Sequence, residues 1–269
     1  MSPATGAPRP VRRRRFGQHF LHDPGVIERI ARALAPQPGD HLVEIGPGHG
    51  ALTRHLLAAP AASVDAVEID RDLVARLQPA FADAPRCQLH QADALEFDFG
   101  ALALARGGRL RLVGNLPYNI STPLLFHLLE HADALIDLHV MLQREVVARL
   151  TAAPGGRDYG RLGIMLSPVL DIERLFDVGP GAFQPPPRVW SAVVRATVRR
   201  TPRFAVSPHF APVVAAAFSQ RRKTLRNALS AFLTREAISA CGLDPGARPE
   251  TLTPEAFNTL AQTLDPARP

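Results

Sequence analysis

From Pro38-Gly39 onward, short apolar runs alternate with stretches whose apolar residues recur at helical spacing, and this alternation restricts the fold more than any other feature of the chain. The runs His41–Ile45, Val64–Ile69, Cys87–His90 and Leu110–Val113 read as strands, with helices expected over Leu52–Leu57 and Leu73–Phe81. Leu124–Leu129, Leu135–Leu142 and Val146–Leu150 continue the series. Strands separated by helices of this length imply a largely parallel sheet covered on both faces. Ile164–Phe176 and Val189–Val198 have no long helix between them, so the sheet is expected to end in an antiparallel pair. Upstream, Val26, Ile27, Ile30, Ala31 and Leu34 predict a lead-in helix over Pro24–Leu34. No internal repeat is visible.

The chain divides by composition. Residues 1–11 are rich in Pro, Ala, Gly and Ser and are expected to form a disordered tail. Residues 12–200 carry the alternating pattern. After Arg199-Arg200-Thr201-Pro202 only helical signals remain, in Phe210–Phe218, Leu225–Phe232 and Pro254–Leu264, so residues 201–269 are expected to form a small helical domain. With 269 residues, one large domain plus a small one is affordable.

Arg12–Arg15 is followed by Phe16-Gly17-Gln18-His19, which breaks off before an export signal could form, and no apolar run is long enough to span a membrane. A cytoplasmic protein is expected. Cys87 and Cys241 lie far apart without metal-ligand spacing, supporting neither a disulfide framework nor a zinc site; they read as ordinary core thiols. The net charge of +6 fits a phosphate-rich partner. Because the basic residues are almost all arginine in a chain rich in Ala and Pro, coding bias explains the charge nearly as well.

Glu44-Ile45-Gly46-Pro47-Gly48-His49-Gly50 joins the first strand to the first helix. Glycines there let the backbone approach a ligand at the carboxyl edge of the sheet, although Gly46, Gly48 and Ala51 also fit a dinucleotide fingerprint. Glu68 ends the second strand, where a carboxylate can accept both hydroxyls of a ribose; Asp93, after the third, is placed to receive an adenine amine. Together they indicate an adenosine-bearing cofactor, either NAD or S-adenosylmethionine. Glu44 favours the second, since a carboxylate would repel a pyrophosphate.

After the fourth strand comes Gly114-Asn115-Leu116-Pro117-Tyr118-Asn119-Ile120-Ser121. Asn115 offers an amide oxygen and Leu116 a main-chain carbonyl, while Pro117 restricts the backbone so that both acceptors can point one way. Two converging acceptors match the two hydrogens of an exocyclic amine. Accepting both makes the nitrogen more tetrahedral and more reactive toward an in-line methyl donor, and Tyr118 can stack on the base. Such catalysis rests on positioning and hydrogen bonds, not on a strong base.

These motifs, with Val67-Glu68-Ile69-Asp70, Gln91-Ala92-Asp93-Ala94 and Phe183-Gln184-Pro185-Pro186-Pro187-Arg188-Val189-Trp190-Ser191, resemble the small-subunit (16S) ribosomal RNA adenine N6,N6-dimethyltransferases of the KsgA/RsmA type, from Arg15 to about residue 260. The resemblance implies a class I S-adenosylmethionine-dependent methyltransferase: a Rossmann-like α/β fold with a mostly parallel seven-stranded sheet and a small all-helical C-terminal domain. It further implies dimethylation of two adjacent adenosines in the 3′-terminal hairpin loop of 16S rRNA, within the assembling 30S subunit and with no metal. The family's cofactor pocket maps onto His19, Leu21, Gly46, Glu68, Asp93 and Asn115, His19 standing where an Asn is frequent; Asn115, Leu116, Pro117 and Tyr118 map onto the catalytic loop.

Phe183 is a candidate to stack on the flipped base opposite Tyr118, and Arg221, Arg222, Lys223 and Arg226 are candidates for phosphate contacts. A monomer is expected. The competing readings are a methyltransferase acting on 23S rRNA, a DNA amino-methyltransferase, a nicotinamide-dependent oxidoreductase and a non-catalytic gauge of subunit assembly.

Overall fold

The computed structural model describes residues 18–220 and 222–265. The expected tail, Arg12–Arg15 and Arg221 lie outside them. A two-residue strand, β1 (Phe20–Leu21), precedes α1 (Pro24–Leu34), whose limits match the expectation. Pro24 opens that helix and the Asp23 side chain accepts from the Val26 N–H at 2.9 Å, satisfying one of the amides a helix start leaves unpaired.

There follow β2 (His41–Ile45), α2 (Ala51–Ala58), β3 (Ser63–Glu68), α3 (Arg71–Ala80), β4 (Cys87–Gln91), α4 (Phe99–Arg106), β5 (Leu110–Asn115), α5 (Ser121–Glu130), β6 (Leu135–Gln143), α6 (Arg144–Thr151) and α7 (Arg161–Leu166). The sheet is completed by β7 (Leu170–Val178) and β9 (Ser191–Val198), with the short β8 (Phe183–Gln184) between them in sequence. Strand order is β4-β3-β2-β5-β6-β9-β7. The first five pair in parallel, whereas β9 runs antiparallel to both β6 and β7. The expected antiparallel ending is therefore present.

Successive side chains of the central strands enter different layers, as a pleated strand covered on both faces requires. Leu42, Val64 and Val113 pack with Ile27, Ile30 and Leu34 of α1 and Leu56 of α2. Val43, Ile45 and Leu112 pack instead with Phe99 of α4, Leu124 and Leu128 of α5 and Val147 of α6. Leu34, Leu42, Leu112 and Leu124 are fully buried, each contributing about 1.5–3 kcal/mol of transfer free energy.

Beyond β9, α8 (Phe210–Ser219), α9 (Leu225–Ala228), α10 (Arg235–Ala240) and α11 (Pro254–Gln262) close around a third cluster that includes Phe210, Val213, Leu229 and Phe257. That cluster also contains Tyr159 and Ile164, from well before residue 200.

Several expectations need correction. No helix was expected over Phe99–Arg106 or Arg235–Ala240, and both segments are helical. Ile164–Phe176 is not one strand: Ile164 lies in α7 and the strand starts at Leu170. The helix expected over Leu225–Phe232 stops at Ala228. Cys87 and Cys241 are free thiols, each half-buried, so neither is a true core residue.

Candidate active site

In the sheet order, β3 lies on one side of β2 and β5 on the other, so the connections from this centre diverge and leave a crevice beyond the carboxyl ends of β2 and β5. A cavity of about 310 Å³ occupies it. Gly46, Glu68 and Asp93 reach it from three strand ends, Asn115 to Tyr118 from a fourth, and His19 and Leu21 from the segment holding β1.

The glycine loop needs its glycines. Gly48 and Gly50 have φ of +57° and +74°, and a Cβ at Gly48 would press 2.8 Å from the Phe20 ring. The loop therefore runs close under Phe20, whose ring packs at a tilt against His49, 4.2 Å between centroids.

Glu68 is nearly buried, and one oxygen accepts from the Gly48 N–H at 3.3 Å and the other from the Asp70 N–H at 3.0 Å. Burial pushes its pKa upward, partly offset by these bonds. Next to it Ile69, 44% exposed, lines the cavity with apolar surface. Asp93 is oriented by the Leu95 N–H, which donates to its Oδ1 at 2.9 Å. Each of these carboxylates keeps lone pairs for a further donor, and with Ile69 they suit the hydroxyls and ring of an adenosine.

Glu44 departs from the sequence reading. It is fully buried, takes a 2.5 Å hydrogen bond from Thr53 Oγ1, and has its pKa pushed up to about 7, chiefly by burial. A group so poised is not a fixed charge at neutral pH, and its repulsion of a pyrophosphate is weaker than the sequence suggested.

At the end of β5, Asn115 Nδ2 donates to the His19 carbonyl at 2.7 Å. That bond fixes the amide rotation, and among the described residues nothing donates to Oδ1. The Leu116 side chain is buried and its N–H donates to the Met141 carbonyl at 3.2 Å, while no described backbone N–H donates to its own carbonyl. Two oxygen acceptors on neighbouring residues are thus left without partners beside the cavity. The Tyr118 hydroxyl shares a 2.7 Å hydrogen bond with Ser191 Oγ, and burial raises its pKa, so it remains a neutral phenol.

His19 Nδ1 lies 2.8 Å from the Pro185 carbonyl, which can only accept; the proton is therefore on Nδ1 and braces the Phe183–Pro187 segment. The Nδ1 hydrogen is therefore engaged by Pro185 and is not offered to a ligand in the cavity.

Phe183 must be corrected outright. It sits 1% exposed in the cluster under α1, with β8 antiparallel to β1 and Leu21 opposite Phe183. Its ring is core and cannot stack opposite Tyr118; the segment instead holds β1 against the cavity. Arg222, Lys223 and Arg226 are exposed, do not line this cavity and are engaged by no ion pair among the described residues. Ser191 and Thr53 were missed: each acts by a contact across the fold that no local pattern announces.

Comparison with known proteins agrees with this geometry. The family described as ribosomal RNA adenine dimethylase matches residues 11–265. A protein of Pseudomonas putida named ribosomal RNA small subunit methyltransferase A is 54% identical over 254 residues, covering 94% of each chain. Its namesake in Methylococcus capsulatus is 52% identical and covers 96% of this chain and 100% of its own. Among solved structures, the 23S rRNA methyltransferase ErmE superposes with a TM-score of 0.71 at 27% identity, covering 92% of this chain and 100% of its own. A dimethyladenosine transferase from Plasmodium falciparum gives 0.79 at 22% identity, covering 91% and 97%, and shares the fold.

Proposed function

The chain belongs to the ribosomal RNA adenine dimethylase family, and from that premise we infer how its own residues carry out the family's reaction. It is an S-adenosylmethionine-dependent methyltransferase that dimethylates the N6 amines of two adjacent adenosines in the 3′-terminal hairpin loop of 16S rRNA. S-adenosylmethionine, when bound, supplies an electrophilic methyl group. Glu68 accepts the ribose hydroxyls and Asp93 the adenine amine of that cofactor, Gly46 lets it lie close to the backbone, and Leu21 and Asn115 complete the pocket. His19 acts by holding its wall.

Asn115 Oδ1 and the Leu116 carbonyl accept the two N–H bonds of the target adenine, Pro117 keeps them side by side, and Tyr118 stacks on the base. Each transfer replaces one N–H hydrogen and releases one proton. Tyr118 is held as a neutral phenol and Glu44 is engaged by Thr53, so neither is offered as a strong base, and the reaction requires none. One observation carries this reading: the Asn115 amide is locked by His19, and its oxygen at the end of β5 has no donor among the described residues.

The substrate is taken to be the 30S subunit or its precursor in the cytoplasm, engaged by a monomer whose Arg222, Lys223 and Arg226 contact phosphates. Among the described residues no helix is long and apolar enough to cross a membrane. Mass spectrometry of rRNA after incubation with labelled S-adenosylmethionine and undermethylated 30S or 50S subunits tests the assignment. Dimethyladenosine confined to 16S rRNA is the expected product; label in 23S rRNA alone would overturn it.

A further inference from the structure

We propose that Trp190 is a stacking platform for an unpaired RNA base next to the target adenosine. The inference rests on the RNA-methylating function above and adds to it a contact on the substrate side of the mouth.

Trp190 is the only tryptophan of the chain and is 49% exposed. A single exposed apolar side chain is ordinary on a protein surface. What singles out Trp190 is its place in the fold. β9 starts at Ser191, opposite Gln143 at the carboxyl end of β6, so Trp190 lies at the same edge of the sheet as Asn115 and Tyr118. The residue after it, Ser191, holds the Tyr118 hydroxyl at 2.7 Å. Glu68 and Asp93 line the cavity from the β3–β4 side; Trp190 is not among the lining residues and lies past the ends of β6 and β9, a side that the cofactor-binding carboxylates leave free.

The ring is also held in place. A Cβ built on Gly179 would be 3.5–3.8 Å from the six-membered ring of Trp190, so that edge rests over the Gly179 backbone while half of the residue stays open. The Trp190 carbonyl accepts from the Arg144 N–H at 2.9 Å, tying the loop to the start of α6. A ring so restrained loses little freedom on stacking, and every nucleobase offers a π-face to it.

The surrounding charge suits RNA. Arg149, Arg174 and Arg195 are each paired with a carboxylate, of Glu145, Asp177 and Glu173 respectively. Arg144 and Arg188, exposed and within six residues of the mouth's anchors Ser191 and Trp190 in sequence or directly bonded to them, have no ion pair among the described residues. They leave two uncompensated cations beside an open aromatic face, the combination that single-stranded RNA recognition uses.

Taken as the difference between wild-type and Trp190→Phe complexes, which removes the light of tryptophans in 30S proteins, the emission reports on the single indole of this chain. With the full chain, binding of undermethylated 30S subunits is followed by filter retention and by Trp190 emission, and methyl transfer is measured for wild type, Trp190→Ala and Trp190→Phe. Expected are quenched emission and protection from acrylamide in the complex. Trp190→Ala should raise KM for 30S about tenfold, as loss of one base stack implies, with kcat and S-adenosylmethionine affinity near wild type. Trp190→Phe should recover most of the loss, which a role limited to supporting Ser191 would not give, since that role would lower kcat. Emission indifferent to saturating 30S, or an unchanged KM in Trp190→Ala, overturns the proposal while an active wild type leaves the function standing. A wild type without methyl transfer to either subunit overturns the function, and this inference with it.

Discussion

At the residue level the decisive group is the Asn115 side chain, because one of its ends is tethered and the other is not. Replacing it with Ala removes the proposed acceptor for the target amine and the donor to the His19 carbonyl together. Methyl transfer by Asn115→Ala is expected to fall at least about 100-fold, the size of effect of losing one well-aimed hydrogen-bonding group at a reacting centre, with 30S binding nearly intact. Single-turnover kinetics alongside filter binding would check it, and retained turnover would refute the role. Glu68→Ala should act on the cofactor instead, weakening S-adenosylmethionine about 10- to 100-fold by calorimetry, as loss of hydrogen bonds to a charged acceptor does. Glu44 gives a pH signature. Its folded pKa of about 7 lies above the ordinary value of 4.5 for a glutamate. Between those values the unfolded chain has released the proton that the folded chain keeps, so stability falls as pH rises through this window and is level above it. The neutral isostere Glu44→Gln avoids this penalty, on the order of 3 kcal/mol at pH 8. Melting curves of the cofactor-free protein at pH 5 and pH 8 should show the variant gaining several degrees over wild type only at the higher pH.

At the level of elements, the β2–β5 pair sets the site, since its carboxyl ends form the floor of the cavity. Gly114, buried one residue before Asn115, makes this approach possible: a Cβ there would overlap the Ile45 carbonyl. Gly114→Ala must therefore part the two strands, at a cost of about 3 kcal/mol or more, lowering both the melting temperature and methyl transfer. A variant that melts and turns over like wild type would show that the strand ends are looser than drawn. The same elements show what a sequence can declare. β2 and β3 were legible because Leu42-Val43 and Val64-Asp65-Ala66-Val67 are buried on both faces, so local apolar content and fold agree. In α4 they diverge. Leu102 and Ala103 with Phe99 form the buried stripe, but Ala101-Leu102-Ala103-Leu104 alternates in size like a strand, and Leu104 is 85% exposed. Asp98 at its start and Gly107 at its end were the available signals. The β1–β8 pairing had no local signal, because its register joins Phe20 to Gln184 across most of the chain. That is also why Phe183 looked like a loop aromatic: its burial is decided by α1 and β1, not by the prolines after it.

Across the whole molecule, the C-terminal helices are joined to the sheet by more than the linker near residue 200. The Tyr159 hydroxyl donates to the Leu252 carbonyl at 2.7 Å, the Gly155 N–H to that of Glu250 at 2.6 Å, and Tyr159 and Ile164 belong to the helical cluster. Cations borne by the helices are therefore carried at a fixed offset from the mouth of the cavity. Their electrostatic effect depends on which are free. Arg106 is spent on the buried Asp65, Arg111 on Asp40 and Asp137, and Arg199 and Arg203 on Asp171. Arg222, Lys223 and Arg226, without ion pairs among the described residues, are the cations proposed above to contact phosphates. Each phosphate they neutralise releases condensed counterions, adding about 0.7–0.9 to the slope of log affinity against log salt. Replacing all three by Ala should flatten that slope for undermethylated 30S by about 2 to 3 between 50 and 200 mM salt, by the same counterion-release arithmetic, while S-adenosylmethionine affinity stays at the wild-type value. If the triple variant kept the wild-type slope, phosphate binding would have to be sought on another face of the molecule.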